Sequence, residues 1–286
     1  MKNLIVPIDF SQHSLKGLEM ALLFSRKMHV NIQMVYVQMK SSEIYAGPQL
    51  EEKKLAEKKF ELIIKEYSKF LGNESRLRYI VKKGKVYEEI VNQAHSYKES
   101  MIITSTHGAS GFEELFIGSN ALKIISATDR PVITIRKDLA SSDIKKIVLP
   151  IDNIPETRQK VVLASKIAMA FGSEVYVLTL SASKSQHVSQ KLEAYTRQVI
   201  KFLESAKIKY QRSTAFGDNP ADMTLEYATK VKADLIAIMT EKVSALTNLF
   251  FGSYAHQLIN QSNIPVLNIK PQEIHLPRDF STFGEA

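Results

Sequence analysis

The stretch Ser105-Thr106-His107-Gly108-Ala109-Ser110-Gly111, closed by Gly118-Ser119-Asn120, has the composition of a loop built around an anion. Glycine lets backbone N–H groups approach an oxyanion that a side chain would hold away. A helix start adds exposed donors and a favourable dipole. The hydroxyl of Ser119 would point at the same place. The same residues also suit a plain glycine-rich turn in which Ser119 only caps a helix. His107 could touch a phosphate or hydrogen-bond at the surface, and Asn120 could add a polar contact or simply lie at the helix start. A second candidate is Pro7-Ile8-Asp9, where an apolar run meets a carboxylate. Asp9 can accept hydrogen bonds from sugar hydroxyls, or from its own backbone in an Asx-turn.

The elements that would hold these residues alternate strand and helix. Leu4–Ile8 is a short apolar run ending in a polar turn, as buried parallel strands do. Ser11 or Ser14 can cap the helix that follows, with Leu15, Leu18, Ala21, Leu22 and Phe24 as its apolar face. Strands are expected at Asn31–Val37, Leu77–Val81, Met101–Ser105 and Val132–Arg136, and helices at Glu51–Phe70, 86–97 and 118–127. The segment Gln38–Leu50 reads as a long loop. In such a sheet, ligands sit at the carboxyl ends of strands where strand order reverses. Asp9 and the Ser105 loop both reach that edge.

The pattern occurs twice. Pro7 and Asp9 recur 143 residues later as Pro150 and Asp152, while Gly118-Ser119 and Pro131-Val132 recur 134 residues later as Gly252-Ser253 and Pro265-Val266. Order is kept and the second copy is shorter in its middle, which is the mark of a duplication. The second copy predicts strands at 146–151, 174–180, 208–215, 234–239 and 265–269, and helices at 156–171, 187–206, 219–232 and 252–261. Strands separated by helices argue for right-handed crossovers in a parallel sheet. The expected fold class is therefore α/β, with two doubly wound, five-stranded parallel-sheet domains in tandem. Their expected bounds are 1–138 and 144–271, followed by an irregular tail at 272–286.

The chain has 286 residues, of which 44% are hydrophobic and 24% charged, in keeping with two folded domains. It contains no cysteine, which excludes disulfides, thiolate metal sites and cysteine catalysis. No apolar run is long enough to be a signal core or to span a bilayer, so a soluble, cytoplasmic protein is expected. The net charge of +8 suits an anionic partner. Its cations are dispersed among acids, as in Glu51-Glu52-Lys53-Lys54, and form no one-sided stripe, so neither nucleic acid nor membrane is expected as a partner. The seven histidines show no paired metal spacing.

The loop resembles the signature of the universal stress protein family, Gly-x-x-Gly, nine residues, then Gly-Ser/Thr. Its second and third glycines fall on Gly108 and Gly118, the hydroxyl falls on Ser119, and Ser105 occupies the first glycine position. The opening Val-Pro-Ile-Asp-Phe-Ser and the strand Pro-Val-Ile-Thr-Ile are also similar to this family, over both halves of the chain. The resemblance implies a Rossmann-like, adenine nucleotide alpha hydrolase-like fold. It further implies ATP, with or without Mg2+, as the cofactor of the first domain: Asp9 beside Pro7 near the ribose, backbone around Val37 at the adenine, and Ser105, His107, Gly108, Gly118, Ser119 and Asn120 around the phosphates. The second copy places Met239 and Lys242 at the glycine positions, with Glu241 between them, so weakened triphosphate binding is expected there.

The function expected is an ATP-binding stress or signalling module with an unidentified protein partner. The alternative is a nucleotide-independent interaction scaffold. An ATP-hydrolysing enzyme such as an ATP pyrophosphatase ranks last, because Asp9-Phe10-Ser11-Gln12-His13 stands where that class has a Ser-Gly-Gly-x-Asp-Ser loop. Single-domain members of the family pair through their final strands. The resemblance therefore implies an intramolecular pseudo-dimer through Val132–Arg136 and Val266–Ile269, and leaves homodimerisation open. Hydrogen exchange on the intact chain should show strong backbone protection in both final strands. Fast exchange over Val132–Arg136 would rule the pairing out.

Overall fold

The computed structural model describes residues 1–38, 46–106, 118–136, 143–182, 185–240 and 253–271. The chain divides into two compact units, Met1–Ser142 and Asp143–Ala286. Among the described residues, the first unit contains β1 (Asn3–Pro7), α1 (Gln12–Met28), β2 (Asn31–Gln38), α2 (Ala46–Tyr67), β3 (Leu77–Lys83), α3 (Val86–His95), β4 (Ser100–Ser105), α4 (Ser119–Ala127) and β5 (Val132–Ile135). Its strands are parallel, in the order β3-β2-β1-β4-β5. The chain moves outward from β1 to β3 and then crosses to β4 on the other side. Strand order thus reverses between β1 and β4, where a crevice opens at the carboxyl edge. Leu4, Ile5, Val6, Met101, Ile102 and Ile103 have no exposed surface. Such consecutive burial requires helices on both faces of the sheet.

Proline helps to make the crevice. Ile8 N–H donates to Val35 O at 2.9 Å and Asn3 N–H to Glu99 O at 3.3 Å, so odd-numbered residues of β1 face β4. Pro7 therefore has no N–H on the β4 side. Pairing with β2 runs on to Pro7–Val35, whereas pairing with β4 stops at Ile5–Ile102.

The second unit repeats the plan among its described residues: β6 (Lys146–Ile151), α5 (Lys160–Phe171), β7 (Glu174–Ser181), α6 (Gln186–Ser205), β8 (Tyr210–Phe216), α7 (Pro220–Val231), β9 (Leu235–Met239), α8 (Ser253–Gln261) and β10 (Val266–Ile269). The order is β8-β7-β6-β9-β10, again parallel. Pairing of β6 with β7 runs to Ile151–Thr179, while pairing with β9 stops at Val148–Ile236, just before Pro150. The first helices of the two units end alike. His29 at φ 50° and Gly172 at φ 65° are left-handed C-caps in equivalent places.

Several boundaries differ from those the sequence suggests. The expected Gln38–Leu50 loop is shorter: Gln38 closes β2, Ala46–Leu50 already belong to α2, and 39–45 lie outside the described residues. Pro48 does not forbid this, because first-turn N–H groups need no helical acceptor. Helix α2 gives way at Ser68–Phe70 to a single 3-10 turn. The strand expected from 208 begins at Tyr210, because Lys207 at φ 55° and the Ile208 N–H bonded to Leu203 O are still finishing α6. The expected helix 156–171 is broken into a 3-10 turn, Pro155–Arg158, and α5. Arg158 holds that turn closed. Its Nε donates to Pro155 O at 3.0 Å and its guanidinium lies 4.1 Å from the Tyr195 ring centroid.

The break places a lysine inside the second unit. Lys160 is 2% exposed, and its Nζ donates to Thr157 Oγ1 at 2.7 Å. Burial pushes its ammonium down to about 8, against the opposing pull of the Asp152 carboxylate. The unfolded chain keeps this proton to about pH 10.5 and the folded chain only to about 8, so stability rises with pH across that window. Below pH 8 the buried charge costs its full amount, about 3 kcal/mol. Lys160→Met is therefore expected to be more stable than the parent at pH 7, and chemical denaturation should show the gap narrowing between pH 8 and 10. A constant gap would remove the buried charge as its cause.

Candidate functional site

The turn after β1 is fixed from several sides. Asp9 Oδ1 accepts from Ser11 N–H at 3.0 Å and from Ser11 Oγ at 2.5 Å, so Asp9 forms the Asx-turn weighed above. Ser11 in turn caps α1 by accepting from Ser14 N–H at 3.2 Å. Between them Phe10 sits at φ 64°, a left-handed conformation that costs a non-glycine residue on the order of 1 kcal/mol. Its ring lies 5.0 Å from both Tyr36 and Phe60, which offsets that cost. Tyr36 donates to Glu52 Oε1 at 2.6 Å, tying α2 to this corner. Burial, with help from Glu52, pushes the Tyr36 hydroxyl up to about 12, so it stays a proton donor.

Seven of the residues singled out in the sequence come together here. Pro7, Asp9, Val37, Ser105, Gly118, Ser119 and Asn120 line one cavity of about 200 Å³ at the crevice. His107 and Gly108 lie outside the described residues. Each of the seven has a distinct place. Along β2, odd-numbered residues face β1, as the Val35–Ile8 bond shows. Val37 lies two residues beyond the end of β1, so its N–H and C=O face the cavity with no strand opposite. A donor and an acceptor side by side match the edge of a heterocyclic base. Ser105 ends β4 against Ile135. Gly118 is the N-cap of α4, so Ser119 is the first helical residue and not the cap. Ser119 and Asn120 are exposed, at the positive end of the helix.

The glycine requirement at 118 has a different cause from backbone strain. Gly118 has φ −54°, open to any residue. Its N–H bonds Thr106 O at 2.5 Å, and a Cβ would stand 2.9 Å from that carbonyl. Close approach of two backbones is what excludes a side chain. Sequence reasoning missed Tyr36, Thr104 and Val86 as lining residues. Tyr36 and Thr104 neighbour residues that were singled out, and strand register alone would have added them.

The second unit has a larger cavity in the equivalent place, about 760 Å³. Asp152 repeats the Asx-turn, Oδ1 accepting from Ile154 N–H at 2.9 Å. Met239 and Thr240 supply the β9 end, and Tyr254 and Ala255 come from α8. Tyr254 donates or accepts at Thr224 Oγ1 over 3.2 Å, and burial raises its hydroxyl far above the ordinary value. Lys242, the other departure from the glycine pattern, lies outside the described residues. No helix among the described residues is long and apolar enough to cross a membrane.

Comparisons with known proteins agree on the architecture. The universal stress protein family model matches residues 1–136 and again 143–270. A universal stress protein of Methanocaldococcus jannaschii is 30% identical over 140 residues, covering 44% of this chain and 82% of the relative. Among solved structures, a universal stress protein from Archaeoglobus fulgidus superposes with TM-score 0.79 at 18% identity, over 94% of this chain and 98% of its own. One from Pseudomonas aeruginosa, described as putative, gives 0.67 at 15% identity, over 95% of this chain and 94% of its own. Two family matches in succession, on two units with one strand order, make this chain a tandem member of the universal stress protein family with a Rossmann-like, adenine nucleotide alpha hydrolase-like fold.

Proposed function

We propose that the first unit is an ATP-binding module of stress signalling, in which the nucleotide acts as a ligand and is not turned over rapidly. The observation that supports this most is the convergence of the Asp9 turn, the open Val37 backbone, the end of β4 and the start of α4 on one cavity. Asp9 would accept from the ribose, Val37 would meet the adenine edge, and Ser119 with the α4 N–H groups would face phosphate oxygens. The cavity is smaller than the ~300–1,000 Å³ typical of enclosed ligands. It would hold the nucleoside, leaving the phosphates along the α4 start, where Mg2+ could accompany them. Bound nucleotide would reorganise that edge and so present a different surface to a protein partner. In the second unit, Met239 and the sequence around Lys242 oppose close backbone approach to phosphate, and we expect ATP affinity there to be at least tenfold lower.

Mass analysis of small molecules released from freshly purified protein should find an adenine nucleotide. Its absence, together with no heat of ATP binding, would favour the nucleotide-independent scaffold. Gly118→Val should lose most ATP affinity and also lower the melting temperature, because the added side chain meets the Thr106 carbonyl; overpacking of this kind costs about 1–3 kcal/mol. Unchanged binding by calorimetry would show that the α4 start holds no phosphate. Asp9→Ala should weaken binding by about 1–2 kcal/mol. Asp9→Asn keeps an acceptor for Ser11 while removing the charge, so it separates the ribose role from the turn. Full affinity in Asp9→Asn, alongside a deficit in Asp9→Ala, would reduce Asp9 to a turn residue.

A further inference from the structure

Two cavities adjoin at the carboxyl edge of the second unit, because Asp152, Asn153 and Pro220 line both. The smaller, about 140 Å³, lies at the end of β7, with Leu180, Val188, Leu192 and Met223 as apolar walls. Odd-numbered residues of β7 bond toward β8: Val175 N–H donates to Lys209 O at 2.8 Å, and Ser181 O accepts from Gly217 N–H at 3.2 Å. Even-numbered Leu180 therefore turns toward β6, whose ladder with β7 ends at Ile151–Thr179. Its C=O faces this slot with no strand opposite, as an acceptor for the exocyclic amine of a heterocyclic base. Asp152 stands where the two cavities meet. Its Oδ1 accepts from Ile154 N–H at 2.9 Å, while Oδ2 accepts from no described residue and is left for a sugar hydroxyl.

The larger cavity, about 760 Å³, extends from Asp152 to the end of β9 and to α8, the side on which the first unit would take phosphate. There the side chains differ in kind. The repeat puts Met239 where the first unit has Ser105, Tyr254 where it has Asn120, and Ile154 where it has Ser11. The hydroxyls in this region are engaged within the wall. Thr224 donates to Pro220 O at 2.8 Å, so Tyr254 donates to Thr224 Oγ1, over 3.2 Å, and its ring is what the cavity meets. Thr240 Oγ1 donates to Ile269 O at 3.3 Å. Thr157 Oγ1 accepts from Lys160 Nζ at 2.7 Å, and Lys160 lines neither cavity. A phosphate moved here from water would need donors that Met239, Tyr254 and Ile154 do not direct at it. Alkyl and thioether groups pack favourably on such apolar and aromatic side chains.

We infer that the second unit binds a nucleoside whose 5′ carbon carries an uncharged apolar group in place of phosphate. The base lies against Leu180, the ribose at Asp152 and the 5′ group toward Met239 and Tyr254. The orientation of base and ribose rests on the reading proposed for the first unit; the preference at the 5′ position rests on the second unit's own side chains. Calorimetric titration of the full chain with 5′-deoxy-5′-methylthioadenosine, in saturating ATP and Mg2+, tests it. About one equivalent should bind per chain. AMP, which differs only at the 5′ position, should bind there at least tenfold more weakly. Met239→Ser should weaken binding of the thioether nucleoside at least fivefold, because apolar contacts are lost. Tyr254→Asn, which copies the first unit, should narrow its margin over AMP. The inference would be overturned by no binding of the thioether nucleoside with or without ATP, by equal affinity for AMP, by displacement with ATP, or by Met239→Ser and Tyr254→Asn that both bind as the parent does. If the chain takes no ATP at all, the nucleotide reading of the first unit fails, whereas one equivalent of thioether nucleoside that depends on Met239 still supports this site.

Discussion

The molecule depends on a ladder that stops early on one side. A strand between two parallel neighbours normally bonds to both along its length. Pro7 removes the N–H that would continue toward β4, while the bonds toward β2 go on through Ile8. The two sides of β1 thus separate at its carboxyl end. From that separation follow the crevice, the unpaired backbone of Val37 and the room in which the Asp9 turn can fold over. Pro150 stands in the same place in β6, and the same opening results.

The two units share what the backbone needs and differ in the side chains around their cavities. The strand-one prolines, the Asx-turns at Asp9 and Asp152, and the left-handed caps at His29 and Gly172 serve the fold, and both units have them. The side chains around the two cavities obey no such demand. Lys160 stands where the first unit has Gly17, and a 3-10 turn opened by Pro155 precedes α5. The first unit spends its aromatic residues on a rigid corner of Phe10, Tyr36, Phe60 and Tyr79, which ties α2 to the site.

Much of this was legible beforehand. Short apolar runs bounded by polar turns can only be buried strands when helices alternate with them, so element order and the duplication could be read directly. Where boundaries slipped, local chemistry decided. Pro48 looked like a loop residue but sits within the first turn of α2, and Pro155 opened a 3-10 turn where helical spacing alone suggested continuity. Among site residues, those with distinctive types, Asp9, Gly118 and Ser119, could be picked out singly. Tyr36 and Thr104 could not, since a residue on a strand lines a site by register and not by type.

By itself the sequence determined the two α/β units, their family and the edge at which ligands would meet the sheet, because hydrophobic period and repeated motifs are properties of order along the chain. Only the tertiary structure decided what each edge offers. That Gly118 is needed for its nearness to the Thr106 carbonyl, and not for an unusual φ, depends on two segments brought within van der Waals distance. That the second copy holds the larger cavity, with Lys160 buried at the position Gly17 holds in the first, depends on groups far apart in sequence meeting in one low-dielectric space. Interactions of that kind fall off with distance in space, which a linear pattern does not record.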